Sequence, residues 1–372
     1  MGTMIKQATR KDMVLIGEFI RRAYGIGQKG TSQLKFPGRW QWLYIDNPFI
    51  SEADGKLPIW LAIKDNAIVG QTCGIPAEIK IGDRMYRLGW AVDLIVSPEF
   101  RGEGIGRKLM EEYYRYFQVG IAISMANSTR RIWQKLGNVP LKPMHIYLYP
   151  VKINKALVRY VFGDRLRFLQ GLFAKAMNEA LLIKRTFNFK LRRYPNESIV
   201  EVSKFDEDFD ALYDRTHGDY EALVQRDSKY LTWRFSSNRQ FEYRTFVLKD
   251  QEVVKGYIVV RKPHYREVNI GHIVDFYAAK KDIDTIDDLI FFAIRFFGKS
   301  VDAIKCFSSV EKIEEIIKRY GFLKIEKMNP LVLVPDTEIR SRIASVSEDW
   351  FLTLADHDLD QVGFNLDKSH SS

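Results

Sequence analysis

Residues 92–116, VDLIVSPEFRGEGIGRKLMEEYYRY, constrain this chain more than any other stretch. The run 92–96 is apolar and has the character of a buried strand. Pro98 ends it, because a proline cannot donate to a sheet ladder. Arg101-Gly102-Glu103-Gly104-Ile105-Gly106-Arg107 follows, and then a segment with Ile105, Leu109, Tyr113 and Tyr116 or Phe117 at helical spacing. Strand, glycine loop and helix start together predict an anion site. Glycines let backbone N–H groups approach a phosphate, and the helix dipole adds partial positive charge. Arg101 and Arg107 bring full charges to the same place. The spacing is neither that of a Walker loop nor that of a dinucleotide fingerprint.

With Val96, Pro98, Arg101, Gly104 and Gly106 in place, the stretch resembles the acyl-CoA site of the GNAT superfamily of N-acyltransferases, V-x-P-x-x-[QR]-x-x-G-x-[GA]. The resemblance covers residues 1–150. It implies acetyl-CoA or another acyl-CoA as co-substrate, no metal, and a small-molecule or peptide amine as acceptor. Leu94, Ile95 and Val96 would lie along the pantetheine, with a backbone N–H among them meeting the oxyanion. Residues 101 to 107, with Glu103 and Ile105 among them, would cradle the pyrophosphate. Asn127, near the next helix start, fits the place of a family asparagine that contacts pantetheine. The tyrosine that often protonates the departing thiolate is replaced by Trp133, whose indole is no acid at neutral pH.

At 372 residues the chain has room for two full cores. Its 46% hydrophobic and 28% charged composition is that of a globular domain. Two cysteines, Cys73 and Cys306, give neither metal spacing nor a disulfide framework, and the six histidines form no ligand cluster. A net charge of +10 favours anionic partners, CoA phosphates first. No nucleic-acid motif accompanies it, so nucleic acid is not expected as a partner. The start of the chain lacks a signal-peptide core, and a cytoplasmic protein is expected.

Along the chain we expect an α+β fold of two tandem GNAT-like domains, each a mixed, mostly antiparallel sheet flanked by helices. Residues 1–150 form the acyl-CoA-binding domain and 151–195 a basic helical connector. A degenerate second domain spans 196–355, and a frayed polar tail spans 356–372. The apolar, basic run within 151–190 admits either packing on the domains or peripheral contact with a membrane surface. The second half repeats the first at an offset of about 185 residues. Trp42 matches Trp233, Asn47 matches Asn238, Gly89 matches Gly271, Trp90 matches His272, Asp93 matches Asp275 and Gly137 matches Gly321. The glycine loop is replaced by AAKKDIDTIDDLI, whose acids repel phosphate. CoA is therefore expected in the first half only. Residues 350–354 read as the last strand of the second domain.

For catalysis, Asp93 is the only carboxylate on the strand before the loop. It persists in the copy that lost the loop, which favours a structural role. Tyr44, Tyr147, Tyr149, His217 and His272 are the other candidate acids and bases, and a water chain with no dedicated base is an alternative. The chemistry expected is direct attack of the amine on the thioester. The alternatives are acyl or aminoacyl transfer to peptide or cell-envelope precursors, and non-catalytic CoA binding. Trp40, Trp42 and Tyr44 read either as core or as the wall of an acceptor cleft between the halves.

Overall fold

The computed structural model describes residues 2–24, 38–50, 55–162, 198–262, 264–265 and 268–360. They form one nine-stranded and one eight-stranded sheet, each flanked by helices. Most of the expected membrane-surface run lies outside the described residues. Its described part, the helix Lys155–Phe162, buries Leu157 and Val158 against the second sheet. No helix among the described residues is long and apolar enough to cross a membrane.

The first sheet is built on β1 (Met4–Thr9), β2 (Lys56–Lys64), β3 (Ala67–Ile81), β4 (Arg84–Val96), β5 (Val119–Ala122) and β6 (Val139–Pro140). β2 and β3 meet at Asp65 and Asn66, both with positive φ (50° and 61°), the primed turn that suits the twist of a hairpin. β3 runs through Pro76. The ladder between β2 and β3 ends at Cys73, so the missing N–H of Pro76 costs no bond on that side. β7 (Met144–Pro150) closes the first half. The second half supplies β8 (Ser198–Val202), β9 (Ala222–Val224), β10 (Arg244–Asp250), β11 (Val253–Arg261), β12 (His264–Tyr265), β13 (Val268–Ala278), β14 (Ala303–Ser308), β15 (Leu323–Met328), β16 (Leu331–Leu333) and β17 (Trp350–Phe351).

A division at residue 150 does not separate the two sheets. β7 leaves the first half and pairs antiparallel with β14 and β15 of the second sheet. β16 makes the reverse exchange and lies between β5 and β6. β9 adds to the far half of β3, and β17 pairs parallel with β9. So 350–354 is not the final strand of the second sheet, because its strand residues find their partner at the edge of the first. The strand orders β1-β2-β3-β4-β5-β16-β6 and β8-β10-β11-β13-β14-β7-β15 match position for position.

The internal repeat survives in detail at the junction. The Trp42 and Trp233 rings stack 5.2 Å apart, and each indole N–H donates to the other's backbone carbonyl, at 2.8 and 3.0 Å. That reciprocity is what an approximate two-fold axis produces. Trp40, Trp42 and Tyr44 are all buried, as core. Gly89 and Gly271 share a second device. A Cβ on Gly89 would lie 2.4 Å from the Phe117 ring, and one on Gly271 would lie 2.7 Å from the Phe297 ring. Each phenylalanine follows or ends the helix behind its strand and fills the space that glycine leaves. Gly89→Ala and Gly271→Ala are each expected to destabilise the fold by about 1–3 kcal/mol through overpacking, read as a lower urea midpoint. The added variant Phe117→Leu should restore part of the loss in the first case only.

Candidate functional site

β4 and β5 run parallel and stay paired only over Leu88, Gly89 and Trp90 opposite Val119, Gly120 and Ile121. Beyond Trp90 the strands part. β4 also bulges there. Its ladder with β3 passes from Val92 opposite Cys73 to Ile95 opposite Gln71, so Asp93 and Leu94 share the single partner position of Thr72. Asp93 absorbs the extra residue in a left-handed conformation, φ 53°. Such a bulge re-aims backbone groups, and Leu94, Ile95 and Val96 carry β4 from it to the loop.

The helix α3 (Ile105–Tyr116) starts at the far side of the parting. Its N-cap is Gly104 at φ 76°, with no side chain bonded to the first-turn amides, and Gly102 is at φ 92°. An added Cβ at either glycine would meet nothing within 4 Å, so it is backbone conformation and not crowding that calls for glycine here. Arg101 sends Nε to the carbonyl of Val96 at 3.3 Å, which ties the loop to the end of β4. Glu103 pairs with Lys64 at 2.9 Å and Arg107 with Glu111 at 2.8 Å, both on the surface. Ile105 is buried and anchors the first turn, and Gly106 passes close to Ile132. The helix α4 (Asn127–Leu136) also starts without a side-chain cap; its N-cap is Ala126, so Asn127 is its exposed first residue rather than its cap. Two uncapped helix starts therefore flank the parting, with orphan N–H groups available to an anion.

The second sheet keeps the parting, but the helix start beside it is capped. β13 and β14 pair over Ile270, Gly271 and His272 opposite Ala303, Ile304 and Lys305. The helix that follows, Ile283–Phe297, is capped by Asp282, whose carboxylate accepts from the Thr285 amide at 3.2 Å. A carboxylate thus bonds a first-turn amide of the kind that α3 leaves uncapped.

Of the candidate catalytic side chains, Asp93 and Tyr44 are neighbours and the others lie apart from them. Asp93 is at the bulge. Tyr147 and Tyr149 are on β7 in the second sheet, and both are buried. Burial and neighbouring Glu314 push the Tyr147 hydroxyl well up, away from any neutral-pH acid role. His272 is buried on β13, where burial, Lys305 and Arg261 push its basicity well down, and burial brings Lys305 itself to about 7. His217 stacks on Tyr213 outside the parting. Tyr44 and Cys73 are buried beside Asp93, and burial raises both well above their ordinary values, so they keep their protons at neutral pH. Trp133 is fully buried beneath α3 and cannot exchange a proton.

The groups that do meet at the bulge come from residues the pattern reading passed over. Arg39, on α2 (Gly38–Tyr44), bonds Asp93 through Nη1 and Asp358 through Nη2, each at 2.9 Å. His357 places Nδ1 2.5 Å from the other Asp358 oxygen and Nε2 3.2 Å from the carbonyl of Ala91 on β4. The expected tail is thus not frayed at its start. Residues 353–360 are buried or half-buried and run between the sheets as a strap. Asp356 bonds Arg226 at 2.6 Å, and Asp360 bonds Arg234 at 2.5 Å. Asp275, the repeat partner of Asp93, is fully buried and held by Arg226, Thr353 and Tyr257. Both bulge aspartates therefore sit in arginine-centred networks that reach the same strap. Only the alternation of acids at 356, 358 and 360 could have signalled it.

No curated protein matches the chain. Residues 55–138 match a family model described as an acetyltransferase (GNAT) domain. Among solved structures, a GCN5-related N-acetyltransferase from Anabaena variabilis superposes with a TM-score of 0.59 at 12% identity, over 89% of this chain and 72% of that one. A GCN5-related N-acetyltransferase from Kribbella flavida gives 0.56 at 12% identity, over 89% and 71%. Saccharomyces cerevisiae N-myristoyltransferase with bound myristoyl-CoA gives 0.57 at 10% identity, over 89% and 78%. At these identities the likeness is one of fold.

Proposed function

The chain carries a GNAT acetyltransferase domain, and on that premise we propose that it moves an acetyl or other short acyl group from acyl-CoA to an amine by direct attack within a ternary complex. One observation carries the reading. The arginine-flanked loop and the uncapped start of α3 stand at the mouth of the β4–β5 parting, while the equivalent start in the second half is closed by Asp282. CoA binds the first unit only. Arg101, Arg107 and the amides after Gly104 hold the pyrophosphate, and Asn127 at the start of α4 meets the pantetheine. The thioester lies along Leu94, Ile95 and Val96, where a backbone N–H released by the bulge stabilises the tetrahedral oxyanion.

Under the parting, Tyr113, Phe117 and Trp133 are fully buried, and Tyr113 contacts both the other rings. That filling favours a short acyl group over a long chain laid through this layer. Asp93, shared with Arg39, acts as a holder of the bulge. The amine loses its proton to water, and the thiolate regains one the same way. The acceptor, a small molecule or a peptide amine, enters between the two halves.

Acetyl-CoA calorimetry on the full chain tests the site. Gly104→Asp puts a carboxylate at the helix start and a Cβ on a left-handed backbone. It is expected to weaken binding by about 2–4 kcal/mol, from lost charge-assisted bonds to phosphate, in a protein that still melts cooperatively. Unchanged affinity in that folded variant would remove the site. Release of free thiol from acetyl-CoA in the presence of amines separates a transferase from a binding protein.

A further inference from the structure

His357 reaches the first unit from 266 residues further along the chain than Ala91, its partner on β4. Its backbone is left-handed, φ 72°, and its ring stands edge-on to Trp90 at 5.8 Å. Each ring nitrogen faces an oxygen that can only accept. Nε2 faces the Ala91 carbonyl and Nδ1 faces Asp358, whose second oxygen is already bonded to Arg39. A neutral imidazole has one N–H and would leave a lone pair against one of these oxygens. Only the imidazolium avoids that repulsion on both sides: Nε2–H then donates to the Ala91 carbonyl, while the Nδ1–Asp358 contact is an ion pair without hydrogen-bond geometry. Ala91 lies at the point where β4 leaves β5, and Arg39 carries the same network on to Asp93 in the bulge.

Resting on the acyltransferase reading, we propose that His357, protonated at neutral pH, is a positioning residue of the acyl site: it pins the Ala91 carbonyl directly and the Asp93 bulge through Asp358 and Arg39, and so fixes the amides of Leu94, Ile95 and Val96. The charged groups around it come from three elements. Asp358 is on the strap, Arg39 on α2 and Asp93 on β4; Tyr44 and Cys73 beside them keep their protons. Asp358 raises the basicity of His357 against burial and Arg39. The sign follows. A group with a raised folded pKa contributes stability that is full below its unfolded value of about 6.5 and is lost as pH rises through the folded value. Asp358 is held well below the carboxylate range by His357 and Arg39, so its contribution fails only in acid. The site therefore loosens on the alkaline side when His357 loses its proton.

The test uses the full chain. Ring-nitrogen chemical shifts should show, above pH 7, one histidine with both nitrogens protonated, absent from His357→Gln. Amide exchange over 91–96 should quicken about tenfold or more in His357→Gln, and in Asp358→Asn if the first variant does not fold. Thiol release per folded molecule should fall about 10–100-fold with CoA affinity unchanged, and the alkaline limb of the wild-type profile should disappear. A neutral His357 at pH 7 overturns the proposal. So does a variant that melts earlier but exchanges and turns over as the wild type does. If the wild-type chain releases no thiol with any primary amine, peptide or polyamine tried, the acyltransferase reading fails, and ring protonation and amide exchange decide the role of His357 by themselves.

Discussion

A chain ending at Leu352 is expected to give no cooperative unfolding transition, whereas one ending at Asp360 melts as a folded protein. The difference is eight residues, 353–360, which carry Asp356, Asp358 and Asp360 at alternate positions. Each of these acids meets a different arginine: Arg226 and Arg234, both buried, and the half-buried Arg39. Removing one partner of a buried pair costs about 3–5 kcal/mol, because the other charge stays behind without water. Losing three, two of them from arginines that keep a second carboxylate, approaches a domain's stability of about 5–15 kcal/mol. The single variants should rank by what each acid leaves unpaired. Asp358→Ala leaves Arg39 with Asp93 but takes the carboxylate from His357, and Asp356→Ala leaves Arg226 with Asp275. Asp360→Ala strips the carboxylate from Arg234 and from Arg261, 3.6 Å away, and removes the acceptor of the Tyr243 hydroxyl. It should lower urea stability by about 3–5 kcal/mol and be the worst of the three. A chain ending at Leu352 that melts like the full protein would make the strap dispensable.

Local chemistry was legible in the sequence where a backbone rule dictates residue type. Gly102 and Gly104 announce a left-handed loop, Asp65-Asn66 a primed hairpin, and Gly137 and Gly321 left-handed helix ends at φ 82° and 100°. The repeat was legible because its markers are packing devices under the same constraint twice, as Gly89 against Phe117 and Gly271 against Phe297 show. Strand exchange was not legible. β7 and β16 are short apolar segments, and an apolar strand pairs equally well with either sheet, so hydrophobic pattern carries no address. The strap was misread for the opposite reason. Its acids look like solvated tail, and only the buried arginines far away in the chain turn them inward.

The exchange of strands leads to the second large effect: residues 1–150, expressed alone, should not fold to a stable monomer. Without β16 the gap between β5 and β6 stays open, and the ladders of Gly120, Ile121 and Ala122 lose their antiparallel partners. β3 loses β9 along 79–81. β7 has its ladder partners in β14 and β15, so in the fragment it would be an apolar strand with both edges bare. Trp42 would lose the stacked Trp233 and both reciprocal indole bonds. These losses fall on the same parting that forms the proposed acyl-CoA site, so the fragment should fail to bind acetyl-CoA as well as fail to melt cooperatively. Coexpressed pieces covering 1–162 and 163–372 should pair through β7 and β16 and recover a single transition, with binding. Purification of 1–150 as a monomer that melts cooperatively and binds acetyl-CoA with the affinity of the full chain would show that the first sheet closes without β16.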